Sequence, residues 1–394
     1  MSFQFPLAPH MAQIPSNPIF HLLPKLNEPG FISFAAGVPS PDSFPYDEIA
    51  KMAAETLAGN PKEILQYGST EGYLPLRRAM AQHLRRYSFN AGIDELVITT
   101  GGQQAIDLLC KLFVEPGDAV LAEAPTYSAA IQVFKSYKAN IVSIESDDAG
   151  ILPDDLESKI ARHRPKFVYL IPTFKNPSGQ TLSAERRAAA AEITGRLGVM
   201  LIEDDPYRDL RYEGGHLPNI KGYDRAGNVV YITSASKYFC PGLRVGTIYA
   251  PKNLTPVLTV AKQATDMHSP TLTQAIVCAY LESGRMEAHL KMLCDMYRAR
   301  LKAMLEAAAA FFPESVACAP PQGGLFLWCV CPPHVDTLAL LAEAVERKVA
   351  YIPGDQFYAD GSVKNAMRLN FSNEPEDSIF KGMEILSKLL RTVC

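Results

Sequence analysis

The sequence predicts an α/β protein, a mostly parallel sheet packed with helices and followed by a smaller α+β unit. Three observations predict it. Short runs rich in β-branched and aromatic residues alternate with helical patterns between residues 96 and 249. Such alternation is the signature of a sheet built by helical crossovers. Each run ends in small, polar or charged residues, and sheets of this kind bind ligands at the carboxyl ends of their strands. From about residue 269 the pattern changes to long, alanine-rich helices and shorter strand-like pieces.

Residues 1–45 are rich in proline and lack periodicity, so they read as an extended arm. The next stretch, 46–57, suits a helix, with Asp47 and Glu48 favourably placed at its positive N-terminal end. Gln66-Tyr67-Gly68 then precedes Gly72, and Leu76-Arg77 opens an amphipathic helix through residue 85. The strand 96–99 runs into Gly101-Gly102-Gln103-Gln104 and a helix to 113. Small residues at a strand-to-helix switch leave amide N–H groups free, and these favour an anion. The strand 118–122 leads to Pro125-Thr126-Tyr127, and 167–171 leads to a loop ending Asn176-Pro177-Ser178-Gly179. After a helix at 184–197, the strand 199–202 leads to Glu203-Asp204-Asp205-Pro206-Tyr207.

The strands 229–233 and 245–249 flank Ser234-Ala235-Ser236-Lys237 and a Pro241-Gly242 turn. Lys237 therefore lies in a loop between two core strands. An isolated lysine is a free amine in only about one molecule in 2,500 at neutral pH. A nucleophilic lysine needs desolvation or a cationic neighbour, and Arg244 is a candidate neighbour. The hydroxyls of Ser234 and Ser236 with the guanidinium of Arg244 also suit a phosphate. Beyond residue 269, helices are expected at 272–281, 288–311, 337–347 and 377–391, and strands at 324–330, 349–352 and 366–371. The chain thus divides into an arm (1–45), expected to complete the small domain on the substrate side, a large domain (46–268) and a small C-terminal domain (269–394).

Bulk properties narrow the function classes. The 394 residues are 47% apolar and 20% charged, the balance of a globular chain with a large core. A net charge of −4 argues against a nucleic-acid or anionic-membrane surface. Residues 1–15 carry no basic n-region, so no signal peptide is expected, and no apolar run reaches the length of a membrane span. The eight cysteines form no Cys-x-x-Cys pair. Cys329 and Cys331 alternate to one face of a strand and read as core thiols rather than metal ligands, so no metal is expected and a reducing cytoplasm is.

Ser234-x-Ser236-Lys237, with Arg244 seven residues on, resembles the cofactor-lysine segment of pyridoxal-phosphate aminotransferases of fold type I. More narrowly it is similar to the branch of 2-aminoadipate/kynurenine aminotransferases and the effector domains of fused transcription regulators. The resemblance runs from Gly37 to Arg368, through Tyr127, Asn176-Pro177-x-Gly179, Asp204-x-Pro206-Tyr207 and Lys237 in the family's order. It implies a seven-stranded-type sheet with helices on both faces and pyridoxal 5′-phosphate as cofactor. It implies Lys237 as the covalent cofactor lysine and proton carrier, and Asp204 as partner of the ring nitrogen, with Asp205 its rival by composition. Asn176 and Tyr207 would serve the ring oxygen and Tyr127 would stack on the ring. Gly102, Gln103, Ser234, Ser236 and Arg244 would form the phosphate cup, joined by Tyr67 from a second subunit of a homodimer. Arg368 would grip the substrate α-carboxylate beside Asn176 and the arm around Gly37. In the arm, Ala36 stands where the family usually has a glycine.

The implied activity is ping-pong transfer of an α-amino group between an L-amino acid and a 2-oxo acid. Glutamate/2-oxoglutarate is expected as one couple, and a broad second substrate is expected because the arm carries no arginine before Arg77. Other readings of the same scaffold are a C–S lyase, a decarboxylase, or a regulatory cofactor-binding module. A dinucleotide-binding oxidoreductase would need Gly-x-Gly-x-x-Gly, which Gly101-Gly102-Gln103-Gln104 does not supply.

Overall fold

A computed structural model describes residues 28–394. The first 27 residues of the arm, with the stretch read as lacking a signal peptide, lie outside the described residues. The arm enters with the two-residue strand β1 (Ile32–Ser33). The central strands follow as β2 (Leu96–Thr99), β3 (Ala119–Glu123), β4 (Asn140–Ile144), a short β5 (Ser146–Asp147) and β6 (Gly150–Ile151) hairpin, β7 (Phe167–Leu170), β8 (Met200–Asp204), β9 (Val229–Ser234) and β10 (Gly246–Tyr249). The last unit adds β11 (Ala317–Ala319), β12 (Phe326–Val330), β13 (Val349–Ala350), β14 (Ile352–Pro353) and β15 (Ala366–Asn370).

Seven strands form one sheet in the order β2-β10-β9-β8-β7-β3-β4. All run parallel except β10, which is antiparallel to both of its neighbours. The carboxyl ends of six strands and the amino end of β10 therefore lie along one edge. Alternation along each strand splits the core into two layers. Val120, Phe167, Tyr169 and Ile202 face the helices Gly102–Phe113, Ser128–Ser136 and Thr255–Asp266. Leu121, Val168, Leu170 and Leu201 face the helices Pro153–His163 and Ala184–Arg196.

The smaller sheet has the order β11-β12-β15-β14. The long helices Met286–Phe311 and Glu376–Val393 pack against each other beside it. The arm belongs to this unit physically, since β1 pairs with β13 and Phe34 is fully buried in the same core. Among the described residues no helix is long and apolar enough to cross a membrane.

Several boundaries differ from the sequence reading. The strand expected at 199–202 is β8, which runs two residues further and takes Glu203 and Asp204 into the ladder. The strand expected at 349–352 breaks at Tyr351 into β13 and β14, which join different sheets. Edge strand β4 was not foreseen, because its five residues are mostly exposed or half-buried and show no clean alternation.

Candidate active site

The loops at the common strand edge carry most of the polar residues that the sequence singles out. Lys237 follows β9, and its Nζ donates to the Gly37 carbonyl at 2.7 Å. The ammonium also lies 5.6 Å from the centre of the Tyr207 ring. Burial, reinforced by the nearby Arg368 and Arg244 charges, lowers the Lys237 pKa to about 8. Desolvation disfavours the charged form, and like charges add to that effect.

The three acids 203–205 separate by strand alternation. Asp204 turns towards Lys237, and its Oδ2 accepts from the Tyr169 hydroxyl at 2.6 Å. Burial raises its pKa to about 7, against the opposing effects of the Tyr169 bond and the Lys237 charge. Asp205 points away. It accepts from Asn219 Nδ2 at 2.9 Å and lies 3.8 Å from the Arg208 guanidinium. Glu203 accepts the backbone N–H groups of Ile220 and Lys221 at the start of a short helix. The solvated acidic turn that composition alone would suggest is absent, since all three side chains are buried.

Arg368, on β15, is 5% exposed. Its Nη1 donates to Asn176 Oδ1 at 2.9 Å and its Nη2 to the Ala35 carbonyl at 2.5 Å. The guanidinium lies 4.3 Å from the Phe326 ring centre and 5.2 Å from that of Phe357, which fixes its plane. Its Nε is buried without a hydrogen-bond partner. A Cβ on Gly37 would stand 3.3 Å from Phe326 and 3.6 Å from Arg368, so the arm backbone approaches the guanidinium closely. Tyr207 is buried and in hydrogen-bond contact with Asn176. Tyr127, at the start of the helix Ser128–Ser136, lies within the fields of Asp204, Arg368 and Arg244.

Beside this group sits an anion turn. Gly101 has φ +80° and caps the helix Gly102–Phe113, whose first turn carries neither a side-chain cap nor an acid. The positive φ favours glycine there, and a Cβ on Gly101 would come within 2.5 Å of Arg244 Nη2 and displace the guanidinium. Ser234 and Ser236 are buried and hydrogen-bonded to each other at 2.8 Å. The exposed guanidinium of Arg244 reaches the Thr100 carbonyl at 3.3 Å. Gln103 donates to the Ala129 carbonyl, and its own Oε1 is buried without a partner. Amide donors, two hydroxyls and a guanidinium make a donor set for a phosphate. Asp204 offers a buried acceptor suited to a protonated ring nitrogen, and Lys237 offers an amine. These residues fit pyridoxal phosphate.

Tyr67 stands apart. It is 81% exposed, meets the His268 ring edge-on at 5.9 Å, and lines a cleft of about 370 Å³ with Lys62, Gln66 and Thr271.

Sequence reasoning missed several supports. Tyr169 and Phe326 carry no motif, and strand register places them, whereas Phe357 closes the family-like Pro353-Gly354-Asp355-x-Phe357 segment and sits in a short 3-10 turn. Lys175 and Glu123, both 2% exposed, form an ion pair at 3.2 Å directly before Asn176. Behind the anion turn, Lys262 donates to Asp266, Gln104 and Ser269, while Thr100 Oγ1 donates to Asp266. Only the short spacing Lys262 to Asp266 on one helix face was readable in advance.

A family model described as aminotransferase class I and II matches residues 29–384. The chain is 39% identical to aromatic-amino-acid aminotransferase 1 of Thermococcus litoralis, over 95% of this chain and 91% of that protein. It is 36% identical to the 2-aminoadipate transaminase of Thermus thermophilus, over 96% and 95%. Among solved structures, the kynurenine aminotransferase of Pyrococcus horikoshii in complex with PMP superposes with a TM-score of 0.94 at 36% identity, covering 98% of this chain and 97% of that one.

Proposed function

The chain belongs to the class I and II aminotransferases, pyridoxal-phosphate enzymes acting on amino and 2-oxo acids, and from that premise we propose how its residues divide the work. The carrying observation is that Lys237, Asp204 and Arg368 meet in one largely buried site, with cationic groups outnumbering the single carboxylate. Such a site suits a dianionic cofactor and an anionic substrate. Pyridoxal phosphate supplies, when bound, an aldehyde for the amino group and a protonated ring that accepts electrons.

Lys237 would hold the cofactor and, as a free amine, would move the proton at the substrate Cα. Its lowered pKa supports that role near neutrality. Asp204, oriented by Tyr169, holds the proton on the ring nitrogen. Asn176 and Tyr207 would hold the ring oxygen, and Tyr127 would lie against the ring. The amides of Gly102 and Gln103, with Ser234, Ser236 and Arg244, bind the phosphate. Arg368 takes the substrate α-carboxylate in the place now held by the Ala35 carbonyl, with Asn176 and Gly37 beside it. Tyr67 completes the phosphate cup of a partner subunit in a homodimer, a reading supported by its exposure and by the exposed Leu65 and Leu74 around it.

Glutamate and 2-oxoglutarate form one substrate couple. Aromatic amino acids and 2-aminoadipate form the broader second set, supported by what the similar enzymes are named for. A panel of amino donors against 2-oxoglutarate and pyruvate tests this. We expect parallel double-reciprocal lines and turnover with both acidic and aromatic donors. Intersecting lines, or use of alanine alone, would refute it.

A further inference from the structure

Away from this site, the outer edge of the smaller sheet carries a pair of thiols. Cys318 lies on β11, a three-residue edge strand, and Cys329 lies directly opposite it on β12 in antiparallel register. Facing residues of antiparallel strands have Cα atoms roughly 4.5–5.5 Å apart. That falls inside the roughly 4.4–6.8 Å window that a disulfide spans. The two thiols are in direct contact, with Cys318 Sγ donating to Cys329 Sγ at 2.7 Å. Neither the register nor the contact depends on the active site.

The two sulfurs differ in access. Cys318 is half-buried on an open edge, whereas Cys329 is fully buried. Burial, with the adjoining Cys318 thiol, pushes the Cys329 thiol well above its ordinary range. An inert buried thiol does not begin an oxidation, because the thiolate is the reactive form. It can still finish one begun by a touching neighbour.

We propose that Cys318 and Cys329 form a reversible oxidative modification site that closes a cross-strand disulfide on reaction with a peroxide. Cys318, as thiolate, attacks one peroxide oxygen. An S–O bond forms, the O–O bond breaks, and the departing hydroxide takes a proton to become water, leaving a sulfenic acid. Cys329 sulfur then attacks Cys318 sulfur. An S–S bond forms, the S–O bond breaks, and the departing hydroxide leaves as water with the Cys329 proton. Two thiols and one hydrogen peroxide become one disulfide and two waters. Each sulfur loses one electron and the peroxide gains two. Along β12, Cys329 alternates with Phe326 and Trp328, so the bridge forms on the face away from Arg368.

The test treats reduced holo-protein with hydrogen peroxide, denatures it, blocks free thiols and maps the peptides by mass spectrometry. We expect one linked peptide pair, Cys318 with Cys329, two hydrogens lighter than its parts. The denatured thiol count should fall by two from eight. Dithiothreitol should restore both thiols, and the linked pair should be missing from Cys318→Ser and from Cys329→Ala. Because Cys318 is on an open edge, Cys318→Ser keeps the test informative should Cys329→Ala not fold. Both cysteines blocked after peroxide, Cys318 carried to sulfinic acid without a link, or a bridge to Cys331 or Cys394 in its place would each overturn the proposal.

Discussion

Asp204 shows how this site works against the stability of its own fold. Burial raises its carboxyl to about 7, whereas an unfolded aspartate ionises near 3.9. Between those values the folded chain keeps a proton that the unfolded chain has released. The contribution of Asp204 to the stability of the cofactor-free protein therefore falls as pH rises from about 4 to about 7, then levels. Glu203, whose pKa burial and the Asp205 charge also raise, adds to the same fall. Asp204→Asn removes the carboxylate and keeps the shape. The cofactor-free variant should melt above wild type at pH 8 and with it at pH 4, while the loaded enzyme loses most turnover. Equal melting at pH 8 would mean that Asp204 is not held at a cost. If Arg368 grips the α-carboxylate that both substrates share, Arg368→Ala should slow both half-reactions together; loss of one alone would make it a side-chain reader. Short motifs made these residues legible. Their supports were not, since Tyr169 meets Asp204 from 35 residues away and Phe326 meets Arg368 across two strands.

At the level of elements, a strand was readable when it was buried on both faces. Runs such as Val229 to Ser234 are buried throughout and follow the rule for parallel sheets. Edge strands β4 and β11, and the helix Thr255–Asp266, left weaker patterns because much of their surface is exposed or half-buried. That helix matters to the site. Its Lys262 is fully buried and ties Asp266, Gln104 and Ser269 behind the Thr100-Gly101 turn. Lys262→Met should loosen the turn and raise the Kd for pyridoxal phosphate at least tenfold, about 1.4 kcal/mol. Turnover at saturating cofactor should change far less. An unchanged Kd with a lowered melting temperature would make the network a purely structural one. Likewise, Glu123→Ala leaves Lys175 as an unpaired buried charge and should destabilise the fold by about 3–5 kcal/mol in denaturant titration.

For the whole molecule, the seven-stranded sheet places six carboxyl strand ends and the Arg244 turn on one edge, and the smaller sheet brings Arg368 to it. That convergence is what the order of motifs along the sequence anticipated. The arm's place on the small-domain side was expected, but the β1–β13 pairing that fixes it was not legible, because it spans more than 300 residues of chain. If subunits share sites through Tyr67, mixing an inactive Tyr67 variant with an inactive Lys237 variant should restore part of the activity. No recovery after proven subunit exchange would contradict a shared site. In the proposed reaction one amino group passes from donor to acceptor through this site and is not released. It is tested most directly by giving the holo-enzyme ¹⁵N-labelled L-glutamate with an aromatic 2-oxo acid. Label should appear in the newly formed aromatic amino acid, matched one to one by 2-oxoglutarate and missing with Lys237→Ala. Label recovered as free ammonia, or carbon dioxide released in its place, would contradict it.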